Sequence, residues 1–304
     1  MNIATAPGWA LQGAGAKVAV GEGGLLLRVA ASDAPTVLRL DAVEAAGGAA
    51  QTIVVDVLPG ARCTLLESHG EHSARKLRVD VHLGARAQLD HVRVVHSPAA
   101  QELAHTVQVR VGEGAHYAQR LVATAAASHQ QRTDVDLAAP GAQASVRAVL
   151  LGDGTVLEQQ VRSRHAAAAT TSSVETLALG SGAARLAGDA YTTIAPGCDG
   201  ATARQRLTGV PTAGQPRLTL RPHLEIHHDD VEAAHGATWG ALPEDALFHA
   251  RQRGIGERAA TALIVEGLAR AVLSRDAELP AEAEAALAAA VAGHLATHQE
   301  ALHG

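Results

Sequence analysis

Val57–Glu67 reads VLPGARCTLLE, Val81–Val92 reads VHLGARAQLDHV, and Val111–Leu121 reads VGEGAHYAQRL. Each is an alternating run, a step through glycine, and a second alternating run. The unit returns in Ala139–Val149 (APGAQASVRAV) and Leu179–Gly188 (LGSGAARLAG). Apolar residues at every second position specify half-buried strands, and the Gly- and Pro-rich steps between them specify turns. Gly60, Gly84, Gly114, Gly141 and Gly182 stand 24, 30, 27 and 41 residues apart. Recurrence at roughly 20–50 residues marks a stacked, solenoid-like array. The expected fold is a β-helix whose coils turn at these glycines and stack small inward side chains. An ordinary sandwich with Gly-Ala hairpins is the alternative.

Composition agrees with a thin core. Aromatic residues are 2% of the 304-residue chain, namely Trp9, Tyr117, Tyr191, Trp239 and Phe248, so Ala, Val, Leu and Ile must fill the interior. A net charge of −6, from 25 basic and 31 acidic residues, argues against binding dominated by nucleic-acid phosphates. Two cysteines exclude a disulfide framework or a four-thiolate metal site. Cys63 is expected in a strand core and Cys198 in an exposed turn. The opening residues lack the pattern of a signal peptide, and no apolar run is long enough to span a membrane, so a soluble cytoplasmic protein is expected.

The pattern changes near Gly240, which divides the chain into a β-helix core (1–240) and a C-terminal helical domain (241–304). Pro243 begins a helix with Glu244 and Asp245 in its first turn, and Gly254 ends it. Ala260, Leu263, Ile264, Leu268, Ala271 and Val272 form the apolar stripe of a second helix. Pro280 opens a third, with Leu287, Val291 and Leu295 four apart. These stripes exceed what the end of a thin β-helix covers, which points to a partner surface. Asp276, Glu278, Glu282, Glu284 and Glu300, with no Lys or Arg among them, make this tail acidic: a solvated face or a docking element.

Neither a phosphate-binding loop, a GxSxG elbow nor an HExxH motif is present. Histidine is abundant, at 17 residues. His69, His72, His105 and His129 are scattered and expected at the surface. Arg221–Gly240, RPHLEIHHDDVEAAHGATWG, concentrates the others. Alternation puts His223, Glu225 and His227 on one strand face, with Leu224 and Ile226 on the other. Asp229, Asp230 and His235 follow. Such a set suits a divalent metal or, equally, a polar strand face leading into a turn.

Pro222-x-Leu224-Glu225-Ile226, Asp229-Asp230-Val231 and His235-Gly236-Ala237-Thr238-x-Gly240 resemble the signature of the SufB/SufD family of iron–sulfur cluster assembly scaffolds. The likeness continues through Leu242, Glu244, Leu247-Phe248, Arg251 and Arg253-Gly254-Ile255, with Ala195-Pro196-Gly197 and Gln205 upstream. It is dense over about residues 190–275 and closer to SufD than to SufB. The resemblance implies a right-handed parallel β-helix followed by a small α-helical C-terminal domain. It further implies a non-enzymatic scaffold paired with a SufB-like chain, or with itself. A SufC-like ATPase, which supplies the nucleotide site, would be held near Leu247, Phe248, Arg251, Arg253, Gly254 and Ile255. His235 would meet iron or a transient iron–sulfur cluster at the subunit interface, with none held permanently by this chain alone. Two departures stand out. Strands begin within the first 40 residues, where SufD proteins usually carry helices, and Ala233 occupies a position that is cysteine in some members. A UreD-like urease metallochaperone is an alternative that leaves the His-Gly-Ala-Thr block unexplained. A β-helical polysaccharide-active enzyme would need converging carboxylates and sugar-stacking aromatics.

Overall fold

The computed structural model describes residues 2–296 apart from 7, 22–23, 44–49, 72–73, 98–101, 126, 276–277 and 279. His72, Asp276, Glu300 and the Glu282 side chain lie outside the described set. The chain opens with β1 (Asn2–Ala6), β2 (Trp9–Gly13), β3 (Ala16–Gly21), β4 (Gly24–Val29) and β5 (Thr36–Ala42). Strands then alternate between two facing sheets. The first takes β6 (Gln51–Val57), β8 (Lys76–Leu83), β10 (Glu102–Val111), β12 (Ser128–Leu137), β14 (Val156–His165), β16 (Arg185–Ile194) and β18 (Arg217–Ile226). The second takes β7 (Arg62–His69), β9 (Gln88–Ser97), β11 (His116–Ala125), β13 (Gln143–Asp153), β15 (Thr171–Ser181), β17 (Ala201–Pro211) and β19 (Val231–Trp239). From β4 and β5 onward every pairing within a sheet is parallel, whereas β1, β2 and β3 pair antiparallel at the N-terminal end. This is a parallel β-solenoid, and the sandwich alternative is excluded.

The corners explain the glycine spacing and correct it. Leu58-Pro59-Gly60-Ala61 and Ala139-Pro140-Gly141-Ala142 each close with the fourth residue's N–H donating to the first residue's carbonyl. Proline second and a positive-φ glycine third is the signature of a type II turn. The positive-φ position recurs at Gly60, Arg86, Gly114, Gly141, Ala169 and Gly200, at φ values from 53° to 71°. Each of these residues donates its N–H to the same corner of the next coil. Gly84 is therefore the first residue of its corner, accepting from the Ala87 N–H, and Arg86 holds the positive-φ place. Gly182 belongs to the opposite corner, with Gly154 and Gly214, which is why its spacing looked irregular. Just inside the first corner, Ala61, Ala87, Ala115, Ala142 and Ala201 stack with no exposure.

The outer face of the nine-stranded sheet is a charge ladder. Arg28, Asp56, His82, Arg110, Asp136, Arg164, Thr193 and Glu225 lie in one register row. Opposite charges facing across strands stabilise this register, and a slip of one residue would turn the row inward. Arg28 and His82 both reach Asp56 at 3.0 Å, and together they lower its pKa against the opposing effect of burial.

The ten-stranded sheet is treated differently. Helices α1 (Glu244–Gln252), α2 (Glu257–Leu273) and α3 (Ala281–Ala296) follow the last strand. Val265, Ala269, Val272 and Leu273 of α2, with Ala283, Leu287, Val291 and Leu295 of α3, pack on Val92, Val122, Val149, Leu151, Leu177, Leu179 and Val210. The apolar stripes are thus covered by the side of the solenoid, not left for a partner. The buried face of α2 is also rotated from the expected one, since Leu263 is 57% exposed. Three polar clamps fix the placement: Arg120 Nε donates to the Leu273 carbonyl (3.0 Å), Arg275 grips Glu175, and His294 meets the Thr212 hydroxyl (2.9 Å). Among the described residues no helix is long and apolar enough to cross a membrane.

Candidate functional site

β18 and β19 lie at one end of their sheets, each paired on one side only. Inward-facing residues of the preceding coil stand in register with those of β19: Ala203 with Ala233, Gln205 with His235, Leu207 with Ala237, and Gly209 with Trp239. Gln205 is 4% exposed, and its Nε2 donates to Thr192 Oγ1 (2.8 Å) and the His223 carbonyl (3.0 Å). His235 has the same parity one coil later, where no further coil follows, and it is exposed. It sits within a strand, not at a turn. Ile226 (42% exposed) and Trp239 (57% exposed) mark the same open end.

The histidines of Arg221–Gly240 do not converge. His223 and Glu225 face outward as the alternation predicts, with the His223 ring stacked on Tyr191 at 4.6 Å. His227 lies past the strand end and pairs with Glu225 at 2.9 Å, and His228 pairs with Asp199. His235 belongs to the other sheet. Among the described residues no three His, Cys, Asp or Glu side chains are arranged to hold a metal.

Helix α1 and its exit form an exposed knuckle with no buried residue on the helix itself. Leu247 and Ile255 are half-buried, whereas Phe248 is 57% exposed. Arg251 pairs with Glu257 at 2.8 Å, Arg253 donates to the His249 carbonyl at 3.1 Å, and Gly254 ends the helix at φ +76°.

The structure also holds a polar interior that the sequence reading placed at the surface. His69, His105 and His129 are at most 2% exposed, and their rings follow Trp9 along the axis at 5.4, 4.8 and 5.0 Å. Glu67 sits among them. His69 and His91 donate to its two oxygens, and Arg93 adds a bond of 2.8 Å while also reaching Gln131 at 2.7 Å. Burial alone would raise the Glu67 pKa, but the Arg93 charge and the two imidazole bonds hold it well below the usual range. Burial pushes His129 down to about 3 and His105 well below its ordinary value. The signal was in the alternation: Leu103, His105, Val107 and Val109 share one strand face, as do Leu65, Glu67 and His69.

Both thiols are buried. Burial pushes the Cys63 thiol up to about 12. Cys198, expected at the surface, is wholly buried beside Ile194, Ala201 and Ala203, with its Sγ donating to the His165 carbonyl. Leu224 and Val231 of the next coil pack against the same cluster.

The SufBD core domain of the SUF system for FeS cluster assembly matches residues 39–268, most of the solenoid together with α1 and much of α2. The chain belongs to the SufBD family. Within it the chain is SufD-like. The iron–sulfur cluster assembly protein SufD of Escherichia coli (strain K12) is 35% identical over 71 residues, 19% of this chain and 17% of that protein. A SufBD family iron–sulfur cluster assembly protein of Synechocystis is 30% identical over 73 residues, and one of Mycobacterium leprae 25% identical over 131 residues. The latter two matches cover 24% and 43% of this chain but only 16% and 15% of the relatives. The matches thus span less than a fifth of the length of each of these three relatives.

Proposed function

We propose that this chain is a non-enzymatic, cytoplasmic scaffold subunit for iron–sulfur cluster assembly. It pairs through its open solenoid end with a second SufBD-type chain and carries a SufC-type ATPase on its α1 knuckle. The observation that supports this reading is the uncovered last coil. Among the described residues, β18 and β19 each have one unpaired edge, and no strand is stacked over the inward positions of Ile226, His235 and Trp239. Exposed edges and apolar ends of this kind are completed by strand addition or by another solenoid. The nascent cluster is cargo, met at that junction by the His235 imidazole. Both thiols of this chain are buried, so cysteine ligands come from the partner. Phe248, exposed on a helix with no buried face of its own, is the anchor offered to the ATPase.

Co-expression with SufB-type and SufC-type chains, followed by mass measurement, tests the assignment. Ile226→Asp should abolish pairing with the SufB-type chain, and Phe248→Asp should remove only the ATPase. A chain that stays alone in the presence of both, or that is retained by urease subunits instead, contradicts it.

A further inference from the structure

Gln205 and His235 belong to one inward row, which reaches them through His91, Gln119, Val146 and Val174. The two glutamines of that row are satisfied differently. Gln119, in the middle of the solenoid, is fully buried, and its Oε1 accepts the Tyr117 hydroxyl at 2.9 Å. Gln205, beneath the last strand, is only 4% exposed, yet its Oε1 has no hydrogen-bond partner. The direction of this amide is fixed, because Nε2 donates to Thr192 Oγ1 at 2.8 Å and to the His223 carbonyl at 3.0 Å. A carbonyl cannot donate, so turning the amide over would set two oxygens against each other. Oε1 is therefore a bare acceptor in a dry setting, which costs stability until a donor reaches it.

The two neighbours of Gln205 in the row decide which donor that is. Val174, on the coil before, is apolar and offers no side-chain N–H. His235, one strand spacing of about 4.8 Å further on, carries an imidazole of the same inward parity. The structure sets the two groups side by side without closing a bond between them, and rotation of the exposed ring about its side-chain torsions closes it. A neutral imidazole has one N–H and one lone pair. The hydrogen bond made by the N–H decides which nitrogen keeps the lone pair.

We propose that Gln205 is a positioning residue: its Oε1 accepts the ring N–H of His235, fixes the tautomer, and leaves the other nitrogen's lone pair for iron. Metal-ligating histidines are held in this way by a carbonyl or carboxylate acceptor. The role toward iron rests on the scaffold reading above; the hydrogen bond itself does not. The test reads the His235 ring nitrogens by NMR in the full chain labelled with 15N-histidine, at a pH where imidazole is neutral. His235→Ala assigns the signals. One tautomer should dominate in the wild type. Gln205→Leu should return the ring to the mixture of a free imidazole, and Gln205→Glu, which keeps an acceptor, should restore the single tautomer. Thr192→Val loosens the same glutamine without removing Oε1 and should leave the tautomer unchanged. In the complex co-expressed with SufB-type and SufC-type chains, Gln205→Leu should weaken ferrous iron binding about tenfold, and Gln205→Glu should recover it. A free-imidazole mixture in the wild type overturns the inference without any variant, as does a tautomer that Gln205→Leu leaves unchanged. A tautomer that shifts while iron binding stays normal in both Gln205→Leu and His235→Ala upholds the hydrogen bond and contradicts the assignment of His235 to iron.

Discussion

Trp9 and Trp239 stand near opposite ends of one solenoid, and their fates differ. Trp9 is 2% exposed, set edge-on against His69, with the antiparallel strands β1 and β2 closing its end. Trp239 is 57% exposed on a last coil that no described strand closes. The same contrast holds for polar residues. Glu67, His91 and Gln205 face inward and are dry, whereas His235, on the same inward parity, is open to solvent. In a stacked fold, whether an inward residue is core or surface depends on whether another coil follows. An interior side chain becomes an interface side chain simply by standing on the last coil.

Matched changes in the middle and at the end of the solenoid separate the two regions most strongly. Glu67→Ala strands Arg93 in a dry interior and should cost about 3–5 kcal/mol in urea unfolding, whereas Ile226→Asp should cost under about 0.5 kcal/mol. Similar losses at both positions would show that the last coil is not open. Leu287→Ala, under the helical cover, should cost about 2–5 kcal/mol and uncover the sheet beneath. The helices are therefore needed for stability, and truncation from Glu257 should leave an aggregation-prone solenoid rather than an intact one.

Acid should distinguish the two regions next. His129 stays neutral in the fold down to about pH 3, while the unfolded chain takes up that proton near 6.5. The unfolded state thus binds more protons in this window, and stability falls as pH drops from 6.5 toward 3. Glu67 adds to the loss below its ordinary value of 4.5, because its folded pKa is lowered. Urea midpoints measured between pH 7.5 and 4 should decline, and His129→Phe should flatten the slope. An unchanged slope in that variant would place the titration elsewhere. Smaller still is backbone strain at two corners. Arg86→Gly and Ala169→Gly replace residues at φ 56° and 53° and should each stabilise the fold by about 1 kcal/mol in thermal unfolding.

Much of this was legible in the sequence. Alternation located the strands, and Pro59-Gly60 and Pro140-Gly141 announced corners through their turn chemistry. The coil period was blurred because Arg86 and Ala169 occupy corner positions without being glycine, and because Gly182 turns the opposite corner. Family likeness, not spacing, singled out His235; parity puts it inward, but only the end of the strand order shows that nothing covers it. The buried histidines were misplaced because residue type was weighed above parity: His105 alternates with Leu103 and Val107, which assigns it to the core.

His235→Ala has the smallest expected effect on the fold and the largest expected effect on function. An exposed imidazole on an uncovered strand should change stability by less than about 0.5 kcal/mol. The direct measurement is the iron and sulfide content of the complex co-expressed with SufB-type and SufC-type chains, compared between wild type and His235→Ala at equal subunit mass. An intact complex with markedly lower iron and sulfide is expected in the variant. Normal iron and sulfide in an intact His235→Ala complex would contradict the claim that the open end of the solenoid meets the cluster through this residue.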